Sequence, residues 1–308
     1  VHSVFQRAGG PIHGSSTVDD RIPRNVLKNM CYPKAIPMRI RQIPGVAVRP
    51  SITLPDGAVM QLPEVGCFHP LWIELACYVG NAFRAEWCTS EDSIVQAEFA
   101  RYSCAEAFYR DSDVYLYHLI GYWLEGWKRP AQAWLAACTA NTRVSILDYG
   151  CGIGADGVWL LEAGYDVSFA DVPGKSLDFL RWRLRQRLHT ASSVYALPMD
   201  IPRHTIAWCM DVLEHLPPSE HKGFLDHLAT LGRCVLVNLI DDPRADGTVH
   251  HPVDIEGLTQ YLRTQSYVVY QDFYVRPDGG KMRLLCYGDE IPTALITMPM
   301  VLEKARPA

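Results

Sequence analysis

The run Ile146-Leu147-Asp148-Tyr149-Gly150-Cys151-Gly152-Ile153-Gly154-Ala155-Asp156-Gly157 decides how the rest of the chain is read. A short apolar stretch, Val144–Tyr149, ends in alternating glycines, and a helical pattern follows from about Ala155 to Ala163. Glycine lacks a Cβ and accepts positive φ, so a strand, glycine turn and helix bring the backbone sharply around and close to a ligand. Gly152-x-Gly154-x-x-Gly157 also satisfies the dinucleotide-binding fingerprint, with Asp171 nineteen residues beyond Gly152. Taken alone, the string leaves the ligand open.

Working outward toward the C-terminus, the pattern alternates strand and helix. Asp166–Ala170, Val194–Leu197, Thr205–Met210 and Cys234–Leu239 are predicted strands, and Leu177–Leu188, Ser219–Leu231 and Ile255–Gln265 are predicted helices. Two further strands, Tyr267–Tyr274 and Met282–Tyr287, flank Arg276-Pro277-Asp278-Gly279-Gly280, which reads as a hairpin turn. These elements call for an α/β fold: a doubly wound, Rossmann-like, seven-stranded and mostly parallel sheet with an antiparallel C-terminal hairpin.

Toward the N-terminus the grammar differs. Residues 1–50 carry eight Lys and Arg against Asp19 and Asp20, a balance of +6 that leaves −11 for the remainder of a chain of formal net charge −5. This reads as an irregular basic arm, docked on the acidic body or touching an anionic partner. Ser51–Leu62 reads as a hairpin around Pro55-Asp56-Gly57. From Pro70 to about Ala140 the pattern is helical, with Leu71, Leu75, Tyr78 and Val79 at helical spacing, a second helix begun by Ser90-Glu91-Asp92, and a third over Val114–Trp127. That third helix is aromatic on more than one side, which suits core packing or a lid over a ligand. The expected organisation is an arm (1–50), a hairpin and helical lid or substrate region (51–140), a ligand-binding core (141–290) and a tail (291–308).

Composition closes off several classes. The 308 residues are 48% hydrophobic and 20% charged, as in ordinary globular chains. An acidic body argues against long nucleic acids. No uninterrupted apolar run reaches membrane-spanning length, since Val114–Trp127 is broken by His118 and Glu125. The ten cysteines never fall closer than ten positions apart, so no C-x-x-C pair is present for zinc or redox chemistry, and reduced thiols in a cytoplasmic protein are expected. His204, His221 and His227 lack metal-binding spacing, and no metal site is expected.

Two details narrow the ligand. Asp148 sits before the glycines, where a pyrophosphate would gain nothing from a buried negative charge, whereas a cationic group would. The predicted fourth strand then runs into Asp211-Val212-Leu213-Glu214-His215-Leu216. With Asp148-x-Gly150-x-Gly152-x-Gly154, this segment resembles the class I S-adenosylmethionine-dependent methyltransferases over about residues 140–290. The resemblance implies S-adenosylmethionine as cofactor. It implies Asp148 at the methionine end, Gly150, Gly152 and Gly154 lining the ligand's path, and Asp171 accepting the ribose hydroxyls. Val172 would lie on the adenine face, Asp200 would accept from the adenine amino group with Met199 or Ile201 beside the ring, and Asp211 would sit beside the sulfonium.

Such a transfer needs alignment, exclusion of water and, for some acceptors, removal of a proton. Asp211, His215 and His250 are the catalytic candidates, although His215 at a helix start also suits a loop-holding role. His251, Asp241 and Asp242 are further polar contacts at the same sheet edge. Tyr109, Tyr115, Tyr117 and Trp123 are the candidate lid or substrate contacts, through cation–π attraction. Methyl transfer to a small-molecule acceptor is the expected activity. The alternative is a related lyase that cyclises S-adenosylmethionine and releases methylthioadenosine.

Overall fold

The computed structural model of this protein describes residues 51–53, 59–61, 69–89, 92–125, 128, 131–132, 135–136, 139, 144–242, 245, 249–274 and 280–291. The basic arm, the turn at Pro55-Asp56-Gly57, Ser90, Glu91, Trp127, most of the Arg276–Gly280 turn and the tail beyond Ile291 lie outside these residues.

The glycine-loop unit sits at the middle of a sheet whose order is β5-β4-β3-β6-β7-β9-β8. Its strands are β3 (Ser145–Tyr149), β4 (Asp166–Asp171), β5 (Val194–Ala196), β6 (His204–Cys209), β7 (Gly232–Asp241), β8 (Tyr267–Tyr274) and β9 (Lys281–Gly288). β3 to β7 run parallel, whereas β9 pairs antiparallel with both β7 and β8. The α/β sheet with an antiparallel C-terminal hairpin is therefore as the sequence pattern requires. Separately, β1 (Ser51–Thr53) and β2 (Val59–Gln61) pair antiparallel on either side of the predicted turn.

Alternation along the strands builds a core on each sheet face. Ile146, Phe169, Ile206, Trp208 and Leu236 pack under helices α5 (Ala155–Glu162) and α6 (Lys175–Gln186). Leu147, Ala207, Cys209, Val235 and Leu285 pack under α7 (His221–Leu231) and α8 (Ile255–Gln265). The strands are buried on both faces, as parallel strands covered by crossover helices must be. The chain moves outward from β3 to β4 and β5, then returns to β6 on the other side. The crevice between β3 and β6 is thus the topological switch point, where open α/β sheets bind ligands beyond their carboxyl ends.

Before the sheet come α1 (Pro70–Val79), α2 (Asp92–Phe99), α3 (Ala105–Asp111) and α4 (Asp113–Leu124). The His69 side chain accepts from the Leu71 amide and Pro70 opens α1, which needs no amide donor there. Ser112 is extended (φ −79°, ψ 131°) and its Oγ accepts the Tyr115 amide, so it ends α3 and caps α4. The break makes α3 a helix of its own, which the periodicity did not separate. Leu71, Trp72, Leu75, Leu116 and Ile120 form a third core that includes Ile153 of the glycine loop and Phe179 of α6. Buried ion pairs reinforce it: Arg183 donates to Glu74 at 2.8 Å and to the Ile153 carbonyl, and Arg187 also reaches Glu74 and Glu162. No helix among the described residues is long and apolar enough to cross a membrane.

Candidate functional site

Three glycines give the loop after β3 its shape. Gly150, Gly152 and Gly154 have φ of +69°, +52° and +66°, a left-handed conformation that costs other residues strain. Close packing adds a second requirement at two of them: a Cβ on Gly150 would overlap Val212, and one on Gly154 would overlap Leu180. At Gly152 the nearest side chain is Leu119 of α4, so this helix lies across the loop. The Gly150 and Cys151 amides both donate to the Ala170 carbonyl, at 2.8 and 3.1 Å, which ties the loop to the end of β4.

Asp171 stands at that end. Its Oδ2 accepts the Gly152 amide at 2.5 Å and its Oδ1 accepts the Val172 amide at 2.7 Å. Burial raises its carboxyl from 3.8 to about 6, against the lowering effect of the two amide bonds. Each carboxylate oxygen has a second lone pair for another donor. Beside it, Val172 is 40% exposed and Met199, in the loop after β5, is 59% exposed; they are two of the three exposed large hydrophobics among the described residues. Ala196 pairs with Asp171, and the Leu197 amide donates to the Asp171 carbonyl, which brings the Met199–Asp200 loop to this edge. The Asp200 side chain is exposed.

Asp148 is buried at the end of β3, and its Oδ2 accepts the Gly157 amide at 2.9 Å. A side chain on Gly157 would overlap Phe169 and crowd that carboxylate. Asp148 therefore anchors the first turn of α5. Burial, and then the neighbouring Asp156, raise its carboxyl well above the usual range.

Between the β3 and β6 walls lies a cluster that sequence reading missed. Lys128 Nζ is 2.8 Å from Asp211 Oδ2 and 3.2 Å from Asp156 Oδ2. Asp156 Oδ1 accepts from Trp123 Nε1 at 2.9 Å and Gln132 Nε2 at 2.6 Å. Asp211, with φ of +58°, donates its amide to Asn238 Oδ1 and accepts from Asn238 Nδ2. Burial pulls the Lys128 ammonium down in pKa, but Asp156 and Asp211 more than reverse this and hold it above its ordinary value. Nothing in local spacing links Lys128 to two aspartates 28 and 83 residues away. Only the fold joins them.

Next to the cluster is a row of hydroxyl and imidazole groups. Tyr109 Oη lies 2.8 Å from His215 Nδ1, and both atoms reach the Val249 carbonyl, at 3.2 and 3.1 Å. That network places the proton on Nδ1 and leaves Nε2 as the basic nitrogen. The contact also joins the Asp211–Leu216 segment to the backbone at Val249. The His215 and His250 rings are 4.9 Å apart, and His250 Nδ1 is 3.3 Å from Asp242 Oδ2. Burial lowers the pKa of His215; burial, followed by His215 itself, lowers that of His250. Glu214 is buried in the same motif, with Oε2 lacking a hydrogen-bond partner among the described residues. Burial, then Asp211, raise its carboxyl from 4.5 to about 8. No group of His, Cys, Asp and Glu among the described residues is arranged to hold a metal ion.

The four aromatic candidates separate. Tyr115 stacks with His118, which stacks with Tyr122, along one face of α4, and Tyr109 lies 5.0 Å from Tyr115. Trp123 joins the aspartate cluster through Asp156. Tyr117 is a correction: it is 2% exposed, packed against Trp72, Phe83 and Trp87, and its hydroxyl accepts the Arg84 amide. Two residues along a helix is about 200° of rotation, so Tyr115 and Tyr117 cannot share a face.

No protein-family model matches the chain. Among curated proteins, the chain is 27% identical over 103 residues to the magnesium-protoporphyrin O-methyltransferase of a Synechocystis species. The match covers 32% of this chain and 45% of the relative, so it spans less than half the length of that protein. Among solved structures, the chain is similar to the Synechocystis magnesium protoporphyrin IX methyltransferase with bound SAH, with a TM-score of 0.48 and 19% identity over 64% of this chain and 99% of that one. It is also similar to the Burkholderia thailandensis 1,6-didemethyltoxoflavin-N1-methyltransferase, with a TM-score of 0.46 and 19% identity over 66% of this chain and 92% of that one.

Proposed function

We propose that this chain is a class I S-adenosylmethionine-dependent methyltransferase that acts on a small-molecule acceptor. The observation that carries the reading is the Asp171 carboxylate, which closes a loop of three left-handed glycines at the switch point and keeps lone pairs for two hydroxyl donors. The sequence match to a methyltransferase and the Asp211–Leu216 motif support the same cofactor.

The residues present fit that molecule. Asp171 would hold the ribose, with the exposed side chains of Val172 and Met199 on either side of the adenine and Asp200 within the same loop. Gly150, Gly152 and Gly154 would let the ligand approach the backbone, above an Asp148 that keeps α5 in register. When bound, S-adenosylmethionine supplies a methyl group on a sulfonium, open to in-line displacement. Asp211 would face that charge. Tyr115 and Tyr122 would add about 0.5–2 kcal/mol of cation–π attraction where their rings meet it.

On the acceptor side, His215 Nε2 would take the proton that an N–H or O–H acceptor gives up, with Nδ1 held by Tyr109 and the Val249 carbonyl. His250, supported by Asp242, would line the same edge. Residues 51–140 would act as the cover and acceptor-selecting region, since α4 crosses the glycine loop, and residues 141–290 as the cofactor-binding core. A crevice covered in this way suits a small acceptor better than a polymer.

Titration calorimetry tests the cofactor assignment. The wild-type chain is expected to bind S-adenosylmethionine, and Asp171→Ala to bind it at least about a hundredfold more weakly, the loss of two hydrogen bonds to a charged group at about 1.5 kcal/mol or more each. Equal affinity for the two proteins would rule out the assigned role of Asp171.

A further inference from the structure

The switch-point crevice is bridged by a cation that belongs to the chain itself. Asp156 opens α5 and Asp211 follows β6, so a carboxylate from each wall meets on Lys128 Nζ, at 3.2 and 2.8 Å. Their other oxygens are engaged: Asp156 Oδ1 by Trp123 and Gln132, and Asp211 Oδ1 by Asn238. Glu214 adds a third carboxyl, buried and with Oε2 unpartnered among the described residues, and Asp211, His250 and Lys128 all act on it electrostatically. A single ammonium thus answers two carboxylates, and one oxygen of a third carboxyl nearby, Glu214 Oε2, has no partner among the described residues. The surplus at this point is negative. Lys128 does not come from the sheet: it follows α4 in the covering segment, with its ammonium 6.0 Å from the Tyr122 ring centre.

We propose that Asp156 and Asp211 form a cation subsite whose resident counter-ion is Lys128, and that the cationic methionine end of S-adenosylmethionine takes Asp211 from Lys128 as it enters. The inference rests on the cofactor proposed above. It makes Lys128 a specificity-determining residue, because its ammonium competes with a charged ligand and leaves an uncharged adenosine unaffected. A lysine that anchored the ligand's carboxylate would act in the opposite direction, and removing it would weaken binding. Two carboxylates already facing the ammonium disfavour that arrangement, since a third anion there meets net negative charge.

Calorimetry on the full chain compares wild type with Lys128→Met, which keeps the apolar stem and removes the charge. The probes are S-adenosylmethionine and, as an uncharged ligand, methylthioadenosine. S-adenosylmethionine is expected to bind the variant about fivefold more tightly, the equivalent of one partly screened ion pair, with methylthioadenosine unchanged. Weaker or unaltered S-adenosylmethionine binding, or an equal change for both ligands, overturns the proposal. A wild-type chain that binds neither ligand contradicts the cofactor assignment itself, and the exchange with it. Thermal unfolding checks that the variant folds. Lys128→Gln, which retains hydrogen-bond donors for both carboxylates, gives the same comparison should Lys128→Met fail to fold.

Discussion

The Asp171 carboxylate accepts the amides of Gly152 and Val172 while burial holds its pKa near 6, so one group both shapes the loop and titrates close to neutrality. The sign of the resulting pH dependence follows from the direction of the shift. The folded carboxyl is raised from 3.8 to about 6, so its ionised form is disfavoured by folding, and the associated stability is lost as pH rises from about 4 through 6. Ligand binding runs the other way. The ionised carboxylate offers acceptors to two hydroxyls, and protonation below about pH 6 removes one of them. Affinity for S-adenosylmethionine is therefore expected to fall by up to about tenfold per pH unit between pH 6 and 5. In Asp171→Asn, calorimetry across that range should show weaker binding with the slope removed; an unchanged slope would assign it to another group. Asp171 was legible because strand, glycine and carboxylate follow a fixed local spacing. Glu214 was quoted within its motif but given no role, because only burial sets it apart from an exposed glutamate at a helix start.

At the scale of elements, the sheet and its crossover helices could be read from periodicity to within about two residues at each end. α8 and β8 begin and end where the pattern places them, helped by Asp254, whose side chain accepts the Gly257 amide and caps the helix. The helices before the sheet were harder. α3 and α4 are parted by the single residue Ser112, and the aromatic residues of α4 were grouped without regard to face, which put Tyr117 in the site rather than in the core. α1 is tied to α6 by Glu74, a buried carboxylate that pairs with both Arg183 and Arg187, the second of which also pairs with Glu162. Truncating one member of such a cluster leaves charge buried without its partner. Glu74→Ala is therefore expected to lower unfolding free energy by about 3–5 kcal/mol in urea titration. A loss below about 1 kcal/mol, the scale of an exposed pair, would mean that α1 is not fastened there.

Taken as a whole, the molecule places titratable groups from both the sheet and the N-terminal helical region around one crevice. Asp148, Asp171 and Asp211 arrive from the ends of three neighbouring strands; the first two stand out by their spacing from the glycines, and Asp211 through the Asp211–Leu216 motif and the resemblance it carries. Lys128 and Asp156 could not be named in that way, since their meeting depends on how residues 69–139 pack against the sheet. The same packing brings Tyr109, 106 residues away in sequence, against His215. The strand-end aspartates are thus a local property of the sequence, and the contacts that Lys128 and Tyr109 make with the sheet a tertiary one. The central claim is methyl transfer from S-adenosylmethionine, and product identification tests it most directly. The purified full chain is incubated with S-adenosylmethionine, first alone and then with a cell extract rendered free of protein as the source of small acceptors, and the adenosine-containing product is identified by mass spectrometry. The account predicts S-adenosylhomocysteine formed only when the extract is present. Methylthioadenosine formed without any acceptor would contradict it.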